Sequence, residues 1–219
     1  MKKFLLTTAM IGLSTNSIAE EKFYIRADVG ASFIPKEKIH RTKTKSSNHL
    51  VADLGVGAYI SDIVRAELSL SNHFNIDQKS NKPFSNATIR ANRTSINNAT
   101  GQSSIKRKIK VTSLTAKILA DFYDFNVGKI FAGVGLGVTK INSKTIFNRS
   151  YTSPGNNGSI ARKSKQSSAN LSYLITIGTT FDVSEYVKFD IAYSYNNYGK
   201  IDKSYLKSHD VTAGIRVSL

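Results

Sequence analysis

Most lysines and arginines of this chain fall in four polar stretches that contain almost no acidic residues. The sequence has 31 Lys and Arg against 15 Asp and Glu, which gives a formal net charge of +16. Clustered cations attract polyanions, and the attraction reaches about 8–10 Å at physiological salt. The pattern therefore predicts binding to acidic partners. The cations that we expect to contact them are Lys36, Lys38, Arg41, Lys43, Lys45, Lys106, Arg107, Lys108, Arg162, Lys163 and Lys165.

A second set of charges lies between the cationic stretches. These charges occur in segments where apolar and polar residues alternate, at the polar positions. Buried charges are costly unless they are paired, so we expect these to pair with one another. The expected pairs are Asp190 with Arg216 and Glu67 with Lys117, and we expect Arg26 and Asp28 to face the strand that closes the sheet. If the alternating segments enclose an interior, such pairs would fill it in layers and leave no continuous pore. A selective ion path is the alternative interpretation of the same residues.

Histidines next to serines could supply a nucleophile and a base, as in the barrel enzymes that modify lipids. The four histidines of the chain are His40, His49, His73 and His209. Only His73 shares the polar phase, near Ser71. No His, Asp and Glu group has the spacing of metal ligands. We therefore expect no catalytic residue, no cofactor and no metal.

These charges are positioned by eight segments in which apolar and polar residues alternate with period two. Successive side chains of a β-strand face opposite sides, so each segment predicts a strand with one apolar and one polar face. The last segment places on one face Val211, Ala213, Ile215, Val217 and Leu219, and on the other Asp210, Thr212, Gly214, Arg216 and Ser218.

The polar faces distinguish a membrane barrel from a soluble one. They are mostly Gly, Ser and Thr, which suit the narrow interior of an eight-stranded barrel. Aromatic residues near the segment ends are typical of interfacial girdles. Those near the short connections are Phe122, Tyr123, Phe125, Phe181, Tyr186 and Phe189, and those near the long ones are Phe33, Phe74, Tyr195 and Tyr198. The fold prediction is all-β: an eight-stranded antiparallel transmembrane up-and-down β-barrel.

Long and short connections alternate along the predicted barrel. The long ones are residues 34–49, 75–110, 142–168 and 199–208, and the short ones lie near residues 61–63, 123–128 and 182–186. Outer-membrane barrels have long extracellular loops and short periplasmic turns. We therefore expect four basic extracellular loops.

The first residues have the pattern of a secretory leader. Lys2 and Lys3 precede an apolar run, and Ser17-Ile18-Ala19 has the small residues of a cleavage site. We expect residues 1–19 to be a signal peptide and residues 20–219 to form the barrel. The chain has no cysteine, so the exported protein must be stabilised without disulfides. Export also argues against nucleic acid as a partner.

Three segments resemble a known family. The run from Lys129 to Val138 resembles the fifth-strand motif of small opacity-type, OmpA-like outer-membrane barrels, and the segments from Tyr193 to Lys200 and from His209 to Arg216 resemble their last hairpin. Within that family the chain is similar to rickettsial surface adhesins, although the loops match poorly. The resemblance implies an outer-membrane location and attachment to host-cell proteins, without catalytic residues or cofactors. Many such barrels end in Phe, whereas this chain ends in Leu219.

Three functions are compatible with these patterns. The first is an outer-membrane adhesin whose basic loops bind host-cell surface proteins or acidic glycans. The second is a structural envelope barrel whose cations pair with the phosphates of lipopolysaccharide. The third is a barrel enzyme that modifies lipid.

Overall fold

All regular structure described for this protein is β-strand. The computed structural model describes residues 23–35, 38–39, 42–43, 47–91, 94–154, 156–201 and 204–219, so the predicted leader lies outside the described residues. The strands are β1 (Phe23–Ile34), β2 (Lys38–Ile39), β3 (Thr42–Lys43), β4 (Ser47–Tyr59), β5 (Val64–Ala91), β6 (Thr94–Phe125), β7 (Gly128–Ser153), β8 (Asn156–Asp182), β9 (Val187–Ile201) and β10 (Ser204–Ser218). No helix in these ranges is long and apolar enough to cross a membrane.

Eight of the strands form a closed antiparallel barrel. Strands β4 to β10 pair in chain order, and β1 closes the sheet by pairing with β4 on one side and with β10 on the other. Closure provides a hydrogen-bonding neighbour for both sides of each strand, which a sheet in hydrocarbon requires. The prediction of an eight-stranded up-and-down barrel is confirmed. The remaining strands, β2 and β3, pair only with each other.

The apolar face of the alternating segments points outward. On β7 the exposed large apolar side chains are Val134, Leu136 and Val138. Opposite faces of the barrel show the same arrangement, with exposed Val29, Leu54, Leu68, Ile118, Ile175 and Ile215. A soluble monomer rarely exposes an apolar surface of this extent. The small and charged residues of the polar phase fill the interior.

Two of the predicted long loops are strands instead. Residues 75–110 and 142–168 continue β5 to β8 well beyond the other four strands. The two hairpins pair with each other through β6 and β7, from Thr100 opposite Thr152 downward. Together they form a four-stranded extension, called here the projecting sheet. The prediction of loops in these two regions was wrong.

Apolar and polar residues still alternate in the projecting sheet, but there the apolar residues face inward and the polar residues face outward. Below the reversal, β6 directs apolar Leu114 and Ile118 outward and polar residues inward. Above it, β6 directs Ile109 and Val111 inward, and both are buried. The outward positions there carry lysines. The reversal indicates where the sheet leaves hydrocarbon, because its outer face must then be wet and its inner face can pack in water-excluded contacts.

Candidate functional site

Charged side chains from four neighbouring strands meet inside the barrel in a connected set, called here the lumen ion network (Arg26, Asp28, Asp53, Glu67 and Lys117). Arg26 contacts Asp28, and its guanidinium lies 2.7 Å from carboxylate oxygens of both Asp53 and Glu67. The Lys117 ammonium lies 3.0 Å from Glu67 and 3.4 Å from Asp53. Each charge is thereby compensated by at least one opposite charge.

A second interior pair lies beside this network, because Arg216 on β10 is opposite Arg26 on β1. Arg216 Nη2 is 3.1 Å from Asp190 Oδ1 and donates to the Thr180 hydroxyl at 2.9 Å. Its Nη1 donates to the Tyr59 hydroxyl at 3.0 Å. The structure thus brings together both pairs that the sequence suggested, and it also brings Arg26 into contact with Asp28. Their role in closing the lumen remains a prediction.

Sequence reasoning left several interior charges out of the predicted pairs, among them Asp53, Arg65 and Asp121. Arg65 lies 3.4 Å from Asp121, and its guanidinium stacks over the Phe131 ring with 4.6 Å to the centroid. Asp53 and Arg65 share the polar phase of their strands, so their inward direction was detectable. Their partners were not, because pairing depends on the register between strands, which no single strand reveals.

A polar group, called here the histidine cluster (His49, His73, Tyr198, Ser208 and Asp210), lies farther toward the projecting sheet. The His49 and His73 rings approach to 3.3 Å between Nε2 and Nδ1. The Tyr198 hydroxyl is 2.7 Å from His73 Nε2 and 3.0 Å from the Ser208 hydroxyl. Tyr198 was predicted to be a rim aromatic, and that was wrong: it shares the inward phase of β9 and is buried.

The histidine cluster lacks the features of an enzyme site. His73 is only 1% exposed, so a lipid substrate has no access to it. Ser71, its expected neighbour, makes no hydrogen bond to it among the described contacts. A nucleophile and its base need mutual reach and access to substrate. Within the described ranges, no group of three His, Asp or Glu residues could hold a metal ion.

An apolar layer closes the interior above the histidine cluster. It consists of Ile34, Ile76, Ile109, Val111, Ile141, Tyr198 and Leu206, all buried against one another. Below it, a cavity near the short turns, lined by Asp121 and Arg216 among others, has a volume of about 160 Å³, and the cavity lined by the lumen ion network has a volume of about 50 Å³. A single water needs about 10–15 Å³ by the same measure, so this cavity holds a few waters rather than a channel.

We therefore expect the purified protein to carry no steady ion current. We expect the ion pairs and the apolar layer to block the lumen in series, so that an ion would have to break both to pass. The measurement is conductance of a planar bilayer into which folded protein has been inserted. A steady conductance that rises with the amount of folded protein would contradict the closed lumen and favour the ion-path interpretation.

The cationic run on β6 divides between the two faces of the projecting sheet. Lys106 and Lys108 are exposed on the outer face, as a partner-binding role requires. Arg107 is only 6% exposed, and its Nε donates to the Ser143 hydroxyl at 2.9 Å. The expectation that Arg107 contacts a partner was wrong, because consecutive residues of a strand face opposite sides.

Lysines of three adjacent strands stand side by side on the outer face. Lys108 is opposite Lys144, and Lys144 is opposite Lys165. These three residues are called here the lysine row, and Asp77 stands opposite Lys108 at its other end. Directly opposed side chains have Cβ atoms about 4.5–5.5 Å apart, so like charges in this arrangement repel. Sequence reasoning left Lys144 out of the site, because only the register places it between two other lysines.

The structure places the remaining predicted cations in three different regions. Arg162, Lys163 and Lys165 are exposed on β8 rather than in a loop. Lys38 and Lys43 stand opposite each other in the small β2–β3 ribbon. Lys36, Arg41 and Lys45 lie outside the described residues.

Comparisons with known proteins agree with this architecture. A family model described as an outer membrane protein beta-barrel domain matches residues 5–218. A protein of Rickettsia bellii named "Putative adhesin" is 31% identical over 242 residues, with 100% of each chain covered. A Rickettsia felis protein of the same name is 30% identical over 246 residues, again with 100% of each chain covered.

A solved structure shares the fold at lower identity. Neisserial surface protein A superposes with a TM-score of 0.57 at 17% identity, covering 90% of this chain and 97% of that one. At this identity the likeness concerns the fold alone. The match supports a small β-barrel.

Proposed function

Since this chain belongs to the outer membrane protein β-barrel family, we propose that it acts as a surface adhesin whose projecting sheet binds acidic groups on host cells. The protein lies in the bacterial outer membrane. Two rickettsial relatives that it matches over their whole length are named as adhesins. The acidic groups belong to host-cell surface proteins or glycans. Barrels of this family have their short turns in the periplasm, so the projecting sheet points away from the cell.

The lysine row is the observation that carries this proposal. Three like charges held side by side on a rigid sheet destabilise it slightly, and a bound polyanion would relieve that repulsion. The sheet around them is held in place by a second apolar cluster near the hairpin tips, formed by Ile89, Ile96, Ala99 and Tyr151. The row is therefore preorganised, which lowers the entropic cost of binding.

Reversing the lysine row should weaken attachment to host cells. In the triple variant Lys108→Glu/Lys144→Glu/Lys165→Glu, we expect the association rate to fall by about tenfold or more, because steering by a charged surface typically contributes 10–10³-fold. Raising the salt concentration should reduce binding of the unmodified protein toward the same level. The measurement is binding of purified, detergent-solubilised protein to host cells as a function of ionic strength.

The matched control keeps the charge and changes the side chain: Lys108→Arg/Lys144→Arg/Lys165→Arg should bind like the unmodified protein. Both triple variants must show the heat-modifiable electrophoretic mobility of a folded barrel. Unchanged attachment of the Glu variant, or attachment insensitive to salt, would contradict the proposal.

Lipopolysaccharide phosphates are the second candidate ligand, and two lysines favour them. Lys140 lies two residues beyond outward-facing Val138 on β7, and Lys110 lies four residues beyond Leu114 on β6. Both are exposed just above the apolar belt, where lipid headgroups lie. If the protein were only a structural barrel that binds lipopolysaccharide, Lys110→Glu/Lys140→Glu would reduce binding to lipopolysaccharide vesicles, and the lysine-row variant would leave host-cell attachment unchanged.

A further inference from the structure

The projecting sheet has two lateral edges with no neighbouring strand among the described residues. Strand β4 accompanies β5 only as far as Phe74, and β9 accompanies β8 only as far as Tyr173. Beyond those points, residues 76–91 of β5 and 156–170 of β8 pair on one side only. An exposed sheet edge presents unpaired backbone N–H and C=O groups and can accept another strand.

The β5 edge is protected against such pairing. Pro83 removes a backbone donor, and the register with β6 shifts after His73 and again after Phe84. Asn86 has a positive φ of 49°. Prolines and bulges are the usual means by which natural sheets prevent edge-to-edge association.

The β8 edge has no proline and no register shift, and its protection against pairing consists of the charges of Arg162, Lys163 and Lys165. From Asn156 opposite Ser153 to Phe181 opposite Gly128, β8 pairs with β7 residue by residue without a register shift. The segment contains no proline, and none of its described residues has a positive φ. It is a straight and regular template about 13 residues long, or about 40 Å at 3.3 Å per residue.

The direction of the backbone groups on β8 follows from a bond at its lower end. The amide of Asp182 donates to the Val127 carbonyl at 3.1 Å, toward β7. Backbone groups of a strand alternate sides, so even-numbered residues bond to β7 and odd-numbered ones face the open edge. The odd residues include Ser159, Ala161, Lys163, Lys165, Ser167 and Ala169.

The charge of the edge selects the kind of strand that fits. Arg162, Lys163 and Lys165 are exposed, and β8 has no acidic residue before Asp182. Edge-to-edge pairing of two copies would bring these cations together, which disfavours a second copy of this chain. An acidic strand would meet the same cations favourably.

We propose that residues 157–169 of β8 capture an extended acidic segment of a partner protein by strand addition. Backbone hydrogen bonds to the odd-numbered residues supply affinity for any extended chain, and the cations select acidic sequences. This inference rests on the proposed adhesin function and names its partner class and binding mode. Glycans cannot bind in this way, because they lack the alternating amide groups.

The probe for this proposal is a fluorescent twelve-residue peptide of alternating Thr and Glu, used with the full-length protein in detergent. A second peptide of identical sequence carries an N-methyl group on every residue, so neither of its edges can complete a ladder. We expect the plain peptide to bind at least tenfold more tightly than the methylated one. This comparison needs no variant of the protein.

The protein side is tested with Ala161→Pro/Ser167→Pro. Both positions direct their N–H to the open edge, so proline there leaves the β7 ladder and all charges intact. The matched control Ala161→Ser/Ser167→Ala keeps both N–H groups. We expect the proline variant to lose at least tenfold in affinity for the plain peptide and the control to bind normally.

The outcomes separate this inference from the proposed function. Equal binding of both peptides, or full binding by the proline variant, would overturn strand addition, and salt-sensitive attachment of that variant to host cells would leave the adhesin proposal standing. If neither the peptides nor host cells bind the unmodified protein, both proposals are wrong. A dimer in light scattering that the proline substitutions abolish would show that a second copy occupies the edge.

Discussion

Replacing Glu67 by glutamine is expected to lower the free energy of unfolding by about 3–5 kcal/mol, the usual result of removing one member of a buried ion pair. The Glu67 side chain is 1% exposed and lies within 3.0 Å of both Arg26 and Lys117. It also accepts a hydrogen bond from the Tyr24 hydroxyl. Glutamine preserves the shape but leaves two interior cations with less compensation. Equilibrium unfolding by urea in lipid vesicles measures the change.

The control is a carboxylate of the same kind at the surface. Asp124 pairs with Lys129 at 3.5 Å, and the Asp124 side chain is 72% exposed. Exposed pairs contribute about 0–1 kcal/mol, so Asp124→Asn should change stability by less than that. Equal effects of the two substitutions would show that the lumen ion network contributes no more than a surface pair.

The second large effect on stability is expected from placing a positive charge at the middle of the outward face. Val134→Arg on β7 should destabilise the barrel in a bilayer by about 2–4 kcal/mol, the range for arginine near the midplane of such barrels. The side chain points outward and is 58% exposed, so no interior contact is lost. The cost arises from placing the guanidinium in hydrocarbon. The same urea titration in vesicles reports it.

Val127 provides a matched control on the same hairpin. Its side chain is 60% exposed, but it lies in the short turn between β6 and β7. Near the interface the cost falls to about 0–1 kcal/mol, so Val127→Arg should be nearly neutral. If both arginines were equally tolerated, the outward face of β7 would be in contact with water rather than lipid.

The membrane-spanning part of the fold was predictable because one solvent imposes a strict pattern. Lipid requires every outward residue from Val134 to Val138 to be apolar, and the narrow interior requires small or paired polar residues opposite them. Because outward positions must be apolar and inward positions must be small or polar, the strands can be recognised in a single sequence. The small residues have a direct use: a side chain at Gly57 would collide with the Tyr24 ring.

The projecting sheet escaped prediction because its outer face is wet and rich in lysine. A run such as Lys106-Arg107-Lys108 has no hydropathy alternation, although its side chains alternate in space. The detectable signal was weaker: Ile105, Ile109 and Val111 keep period two, in the phase opposite to Leu114. A search for alternation that changes phase would have extended β6 beyond the apolar belt.

The site was predictable in its composition but not in its geometry. The sequence identified basic segments and interior charges, because both are matters of residue type and strand phase. The lysine row and the open β8 edge depend on which strands are neighbours and how far each one extends. Those are properties of the assembled sheet, so no local pattern reports them.

The reversal of phase along β6 and β7 gives this protein two regions that are stabilised by different media. The barrel depends on hydrocarbon outside and on ion pairing within, whereas the extension depends on water around it to drive Ile76, Ile109 and Ile141 together. Weakening the hydrophobic effect in water would loosen the upper region while the lipid-embedded region persists. Resistance of the barrel to denaturant is therefore no guide to the integrity of the projecting sheet.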